Sequence, residues 1–326
     1  MKPVRAVEFG FIHPDVHVMS TRLFMSSGDL VADRRYDFAR DLQLRGDLEG
    51  AAGVMMQAVE LAPGFASAWF ALGEIKQRLN LHGDAIAAFR RAVAADPDDR
   101  HGAVLRLIRL GVESPSPMSA AYIRTLFDQY APRFEASLVG NLDYRGPELL
   151  FKAVLAARHA EQRPAFFRHG IDLGCGTGLV ARTFARNVDR LDGIDLSPKM
   201  LAQARATGLY NELELADLVQ GLTARATASA DLILVADTVI YLSDIAPLLR
   251  EAGRVLQPGG LLAFTAETHR GEGVVLGAGL RYAHSAAYVR DAVAAAGLRL
   301  SHLVEESART EDGVAVPGLV AVATKA

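Results

Sequence analysis

Apolar and polar positions follow different patterns in the two parts of the chain. Up to about residue 112, apolar residues recur every three or four positions, which is typical of amphipathic helices. Beyond residue 165, short continuous apolar runs alternate with helical segments, as expected for buried strands joined by helices. The sequence therefore predicts a helical N-terminal part followed by an α/β part.

Seven segments of the second part are predicted to be strands. The fourth is a continuous apolar run, which is typical of a central strand in a parallel sheet. The last two have no helix between them, so they should pair as a hairpin and make the final strand antiparallel. The predicted strands span residues 166–173, 191–195, 212–215, 231–236, 261–266, 298–304 and 314–324.

The helical part repeats with a period of 34 residues. The residues Ala51, Met55, Ala58 and Pro63 recur one period later as Ala85, Phe89, Ala92 and Pro97. The second copy also has Trp69, Leu72 and Gly73 where a tetratricopeptide (TPR) repeat requires them, whereas the first copy has Arg35 in place of the tryptophan. The alanines would let two helices approach closely, and each proline would end the second helix.

These patterns divide the chain into four parts. Two prolines and several small polar residues mark a linker after the helical repeats. The predicted parts are an N-terminal extension (1–31), TPR-like helical repeats (32–112), a linker (113–119) and a catalytic domain that starts with a lid helix (120–326).

A glycine-rich turn follows the first predicted strand. Gly174, Gly176 and Gly178 stand between that strand and a helical segment, where bare backbone N–H groups can come close to a ligand. A dinucleotide fingerprint would need glycine at the position of Leu179, which disfavours a nicotinamide oxidoreductase.

Asp172 and the three glycines together resemble the first motif of the class I S-adenosyl-L-methionine (SAM) dependent methyltransferases. The aromatic segment 127–134 resembles the lid of many small-molecule methyltransferases, and the Pro-Gly-Gly turn at 258–260 also matches their pattern. With the repeats and the segment 281–289, nearly the whole chain resembles bacterial TPR-containing predicted methyltransferases. The resemblance implies a seven-stranded Rossmann-like sheet with an antiparallel last strand, and SAM as cofactor.

Asp195 is the leading candidate for binding the ribose of SAM. It ends the second strand, about twenty residues beyond the glycine turn, where a carboxylate can accept both ribose hydroxyls; its alternative role is a helix cap. Asp217 is a candidate for the adenine amino group or a solvated turn residue, and Tyr130 is a candidate lid or core residue. The complete set of predicted cofactor residues is Asp172, Gly174, Cys175, Gly176, Gly178, Asp195, Leu196, Asp217, Leu218, Asp237 and Tyr130.

His284, Tyr282 and Asp237 are the candidates for catalysis or acceptor contact. The methyl group of SAM is already activated on a sulfonium, so the reaction needs alignment and exclusion of water, and no metal. A hydroxyl or protonated-amine acceptor would also need a base, for which the His284 imidazole suits neutral pH. The alternative for His284 is a cap or a packed side chain.

Composition narrows the remaining possibilities. The net charge of −3 disfavours nucleic-acid binding. A single cysteine excludes an intramolecular disulfide, which fits a reducing compartment. Neither a signal peptide nor a membrane span is visible, so we expect a cytoplasmic protein without a membrane partner.

Two functional hypotheses remain. In the first, the chain methylates an oxygen or nitrogen of a small-molecule or peptide acceptor, with the small molecule favoured, and the repeats bind a protein partner or a second copy. In the second, the chain is a TPR interaction protein whose SAM-binding domain senses or scaffolds. A packed helical spacer is the structural alternative for the repeats.

Overall fold

The computed structural model describes residues 23–136 and 142–326. Most of the predicted extension (1–31) therefore lies outside the described residues. Five helices form the N-terminal part: α1 (Leu30–Leu44), α2 (Leu48–Leu61), α3 (Ala66–Arg78), α4 (His82–Ala95) and α5 (Ala103–Arg109).

The first four helices form two hairpins, α1 with α2 and α3 with α4. Met55 and Phe65 are buried in the core that the first three helices share. A Cβ added to Gly73 would lie 2.6 Å from the Phe89 ring, so α3 and α4 touch at the position where the repeat pattern has glycine. α2 and α4 begin one 34-residue period apart, at Leu48 and His82.

Within residues 113–136 and 142–326, the second part contains seven further α-helices and eleven strands. The helices are α6 (Ala120–Tyr130), α7 (Gly146–Ala160), α8 (Leu179–Phe184), α9 (Pro198–Ala206), α10 (Leu218–Thr223), α11 (Ala246–Val255) and α12 (Ala286–Ala295). The strands are β1 (Phe167–Leu173), β2 (Val188–Asp195), β3 (Glu212–Leu215), β4 (Ala230–Val235), β5 (Leu256–Glu267), β6 (Val274–Leu276), β7 (Tyr282–His284), β8 (Leu298–Glu305), β9 (Thr310–Glu311), β10 (Val314–Ala315) and β11 (Gly318–Lys325).

The main sheet has the strand order β3-β2-β1-β4-β5-β11-β8. The first five of these strands in space are parallel, and β11 is antiparallel to both neighbours. The predicted final hairpin and antiparallel last strand are therefore confirmed.

The predicted count of seven strands is wrong, because the sheet formed by the described residues has nine. The additional strands are β6 and β7, which fold back as a hairpin, and β7 extends the sheet by pairing with the end of β5. Each has only three residues, so neither shows the run of alternating positions by which a strand is recognised in sequence. A separate pair, β9 and β10, lies in the connection between β8 and β11.

Helices cover both faces of the sheet. On one face, Leu222, Leu248 and Val289 of α10, α11 and α12 pack against strand residues such as Ile171. On the other face, α7 and α8 pack in a second apolar cluster that includes Leu150. Burial of such side chains stabilises the fold by roughly 1.5–3 kcal/mol each. Because the helices cover the faces of the sheet, the carboxyl ends of the parallel strands are free to form a site.

Candidate active site

A cavity of about 540 Å³ lies at the carboxyl ends of β1, β2 and β4. The turns after these strands form its base, and α6 and the residues that follow it form an aromatic wall. Ligands of open α/β sheets bind at this edge, and the volume lies within the usual range for small-molecule sites.

The glycine turn between β1 and α8 forms part of the base. Gly174 has φ +70°, and a Cβ there would lie 2.4 Å from the Thr238 side chain, so only glycine fits between the two strand ends. Gly176 has φ +54°, and a Cβ there would be no closer than 3.8 Å to another side chain, that of Phe134. The space above Gly176 is therefore open to a ligand, as a cradle for SAM requires.

Asp195 ends β2 beside this turn and lines the cavity. Its two carboxylate oxygens accept hydrogen bonds from the backbone N–H groups of Gly176, at 2.9 Å, and Ser197, at 2.8 Å. Burial raises the pKa of this carboxyl. The cap of α9 is the Ser197 hydroxyl, which accepts from the backbone N–H of Met200, so the alternative role of Asp195 as that cap is not observed.

Most of the predicted cofactor residues converge on the cavity. Asp217 both lines it and caps α10, through hydrogen bonds from the backbone N–H groups of Val219 and Gln220. The predicted residues that line the cavity are Gly174, Cys175, Gly176, Asp195, Leu196, Asp217, Leu218, Asp237 and Tyr130.

Asp172 and Gly178, two of the predicted cofactor residues, are not among the residues that line the cavity. The Asp172 carboxylate is fully buried beneath the turn and accepts a hydrogen bond of 2.6 Å from the Tyr210 hydroxyl; burial raises its pKa to about 7. Gly178 has φ +94° at the N-terminus of α8. Both residues are buried and lie outside the cavity lining.

The aromatic wall is held by contacts between α6 and the sheet edge. Asp128 accepts a 2.6 Å hydrogen bond from the Ser197 hydroxyl, which ties α6 to the turn after Asp195. The Tyr130 ring lies edge-on to Phe134, with ring centres 5.6 Å apart. Phe127, on the same helix, lies edge-on to Tyr241 at 5.3 Å. The wall therefore combines the predicted lid with a tyrosine that follows β4.

His284 and Tyr282 are not among the residues that line the cavity, so its geometry gives no support to their predicted catalytic role. The His284 side chain has no exposed surface, its Nε2 is 2.9 Å from the carbonyl oxygen of Leu242, and its ring stacks on Tyr288. Burial lowers the pKa of His284 to about 4. Tyr282 is equally buried and donates its hydroxyl to the carbonyl of Ser116 at 2.6 Å. Both residues anchor β7.

Asp237 does line the cavity, next to an ion-pair network that the sequence did not reveal. The network joins Arg281, from the β6–β7 hairpin, and Arg309, from the connection between β8 and β11, to Glu267 and Glu311. Arg309 also pairs with Asp237. Arg281, Arg309 and Glu311 line the cavity as well, so this network is its second polar region.

Little in the sequence could have identified the network. Glu267 directly follows a predicted strand, and Arg281 begins the segment 281–289 that contributes to the family resemblance. Arg309, by contrast, is one arginine among many in an irregular stretch. Its position depends on the pairing of β11 with β5 and β8, which brings residues 237, 267 and 309 together.

Within residues 23–136 and 142–326, no three histidine, cysteine or acidic side chains are grouped as metal ligands would be. Nor, within the same residues, does any helix combine the length and apolarity that crossing a membrane requires.

Comparison with known proteins identifies the domain. Residues 171–264 match the family described as a methyltransferase domain. The chain carries a SAM-dependent methyltransferase domain. It is 33% identical over 148 residues to human methyltransferase-like protein 27, covering 44% of this chain and 57% of that protein. It is 32% identical over 95 residues to a ubiquinone biosynthesis O-methyltransferase of Xanthomonas oryzae pv. oryzae, covering 28% of this chain and 40% of that enzyme.

The chain thus spans about half the length of the curated relatives it matches. The fold is also that of the [4+2]-cyclase SpnF, with a TM-score of 0.51 and 19% identity over 65% of this chain and 98% of that one. A likeness at this identity shows the fold alone. The name of that relative illustrates that a shared fold does not fix the reaction, which must be argued from the site.

Proposed function

We propose that the protein transfers a methyl group from SAM to an oxygen or nitrogen of a small-molecule acceptor, by in-line displacement and without a metal. One observation carries the proposal: the glycine turn, Asp195 and Asp237 line the same cavity. A cofactor held by the first two would therefore have its reactive part within reach of an acceptor at the third.

The cofactor is SAM, which supplies a methyl group activated on a sulfonium. Asp195 would accept the ribose hydroxyls, because its carboxylate lies beside the open backbone of the turn. Asp217 and Leu218, at the end of β3, are placed for the adenine ring. Tyr130 and Phe134 would cover the bound cofactor and exclude water, and alignment of the nucleophile can then supply several kcal/mol.

A small-molecule acceptor is favoured over a peptide. Support comes from the size of the cavity and from its wall of aromatic side chains on α6, which suit a compact ligand. Several relatives carry names of O-methyltransferases of small molecules or carrier-bound groups. Asp237 is the member of the predicted catalytic set that lines the cavity.

We also propose that α1–α4 are TPR-like repeats that bind a protein partner or a second copy of the chain. The contact of Gly73 with Phe89 and the 34-residue period support the repeats. Leu30, Phe38 and Leu44 of α1 are more than half exposed, which is unusual for large apolar side chains grouped on one helix. Sedimentation equilibrium of the wild type and of Phe38→Glu tests self-association; a dimer that dissociates in the variant is expected if a second copy binds there.

Calorimetric titration with S-adenosylhomocysteine (SAH) and, separately, with NADH tests the cofactor. We expect binding of SAH with a dissociation constant on the order of micromolar and none of NADH. Binding of NADH, or absence of SAH binding to protein with a cooperative melting transition, would contradict the proposal.

A further inference from the structure

The acceptor end of the cavity, which is the part next to Asp237, contains a closed ring of four ion pairs. Glu267 Oε1 accepts from both arginines, from Arg281 Nε at 2.5 Å and from Arg309 Nη2. Glu311 Oε1 also accepts from both, from Arg281 Nη2 and from Arg309 Nε at 3.3 Å. Two cations and two bridging carboxylates make the ring neutral.

Asp237 is attached to this neutral ring through one contact only. Its Oδ1 accepts from Nη1 of Arg309, and among the residues that the structure describes no donor contacts its Oδ2. Asp237 therefore carries the one negative charge that the cluster does not balance. Its side chain is 19% exposed, whereas that of Arg309 is 4% exposed, so the carboxylate lies on the cavity side of the guanidinium.

The backbone fixes Asp237 in an unusual conformation. Its φ of +52° lies in the left-handed region, and its N–H donates to the Thr265 hydroxyl at 2.8 Å. Non-glycine residues in this region cluster at functional sites, where the surrounding structure holds the strain. The neighbouring Thr238 packs against Gly174 of the turn, so Asp237 stands next to the cofactor end.

The ring also limits what the arginines can bind. All three nitrogens of Arg309 already pair with carboxylates. This guanidinium therefore has no free pair of N–H groups with which to bind a carboxylate ligand in a bidentate manner. An anionic acceptor would meet the unbalanced charge of Asp237, whereas a protonated amine or a hydroxyl would find an unused oxygen there.

We infer that Asp237, held by Arg309, binds a hydroxyl or protonated-amine group of the acceptor and selects against acceptors with a carboxylate at that position. This inference rests on the proposed function and deepens it. Asp237 touches the acceptor, and Arg309 is a positioning residue that acts through it.

Three probes that share a phenylethyl-type skeleton test the inference: phenylethylamine, phenylethanol and phenylacetate. Their dissociation constants are measured by calorimetry at pH 7.5 on full-length protein saturated with SAH. Phenylethylamine is expected to bind at least about tenfold more tightly than phenylacetate, with phenylethanol between them. Equal or tighter binding of phenylacetate, or failure of phenylethylamine to bind, would overturn the inference.

Two variants identify the source of the selectivity. Asp237→Asn removes the unbalanced charge and should reduce the amine-to-carboxylate ratio to within about threefold. Asp312→Asn is the matched control, because Asp312 also lines the cavity but is exposed and outside the ring; it should keep the ratio. An unchanged ratio in Asp237→Asn, or an equal loss in both variants, would contradict the assignment.

Arg309→Lys tests the positioning role. It keeps one positive charge but cannot face three carboxylates at once, so the amine-to-carboxylate ratio should fall while binding of SAH persists. An unchanged ratio would mean that Arg309 does not position Asp237. The SAH titration distinguishes failure of the proposed function from failure of this inference. A wild-type protein that does not bind SAH would overturn the proposed function. A wild-type protein that binds SAH but does not prefer the amine to the carboxylate would overturn only this inference.

Discussion

The two ends of the cavity differ in the chemical groups that form their surfaces. At the cofactor end, backbone groups of a glycine turn and one carboxylate at a strand terminus form the surface. At the acceptor end, five charged side chains from four separate segments form it. The position of a site made of backbone groups follows from the fold itself. A site made of side chains forms only where the fold brings together residues that are distant in sequence. The first end suits a common cofactor, and the second suits a particular acceptor.

The largest expected effect comes from breaking the acceptor end at its centre. Arg309→Leu leaves Asp237 without a cation and leaves Glu267 and Glu311 paired with Arg281 alone, which should lower the free energy of unfolding by about 3–5 kcal/mol. Urea denaturation measures the loss. Arg299→Leu is the matched control, because Arg299 is 62% exposed in its pair with Glu161; its cost should stay below about 1 kcal/mol. Equal costs would mean that the ring is no more than a surface network.

The next effect concerns the cofactor end. Asp195→Ala removes the carboxylate expected to hold the ribose and should weaken SAH binding by about a hundredfold, or about 2.7 kcal/mol. Asp189→Ala, on the exposed opposite end of β2, serves as control and should change the dissociation constant by less than about twofold. SAH affinity that survives Asp195→Ala would place the ribose elsewhere.

The stability of the protein should depend on pH in opposite ways through His284, on β7, and through Asp172, beneath the glycine turn. Burial lowers the pKa of His284 to about 4, so its contribution to stability is present above pH 6.5 and is lost as pH falls toward 4. Between pH 6.5 and 5 the loss should be on the order of 2 kcal/mol. Asp172, whose pKa is raised to about 7, acts in the opposite direction, since its contribution is lost as pH rises above about 4 toward 7.

Denaturation of wild type and His284→Asn at several pH values isolates the histidine, because the opposing carboxyl is common to both proteins. The asparagine can still donate to the Leu242 carbonyl that His284 contacts. The difference in stability between the two proteins should shrink as pH falls from 6.5 to 5. A difference that is constant with pH would show that His284 does not titrate in this way.

The smallest effect is expected at the aromatic wall. Tyr130→Ala removes one ring above the turn and should weaken SAH binding by about three- to tenfold, as loss of a single aromatic contact does. Tyr130→Phe keeps the ring and should bind SAH within about twofold of the wild type. Equal affinities of all three proteins would remove Tyr130 from the lid and leave it a core residue.

The sequence predicted the cofactor end in more detail than the acceptor end, for a physical reason. Gly174, Gly176 and Asp195 stand at ends of strands whose apolar pattern is visible, and parallel strands bring their carboxyl ends to one edge. Local spacing therefore determines where these residues lie. The final antiparallel hairpin was also predictable, because no helix separates its strands.

Apart from Asp237, the acceptor end escaped prediction because it depends on long-range pairing. β6 and β7 are too short to be recognised, yet they carry Arg281 to the cavity and turn His284 and Tyr282 away from it. A histidine near a helix start gives the same sequence signal whether it is buried or exposed, so only the fold shows that His284 is buried.

A crystal structure of the protein with SAH is the decisive experiment. We expect the ribose hydroxyls within hydrogen-bond distance of the Asp195 carboxylate and the sulfur directed toward Asp237. SAH bound outside this cavity, or with its sulfur turned away from the Asp237 and Arg309 side, would contradict the claim that cofactor and acceptor meet in this cavity.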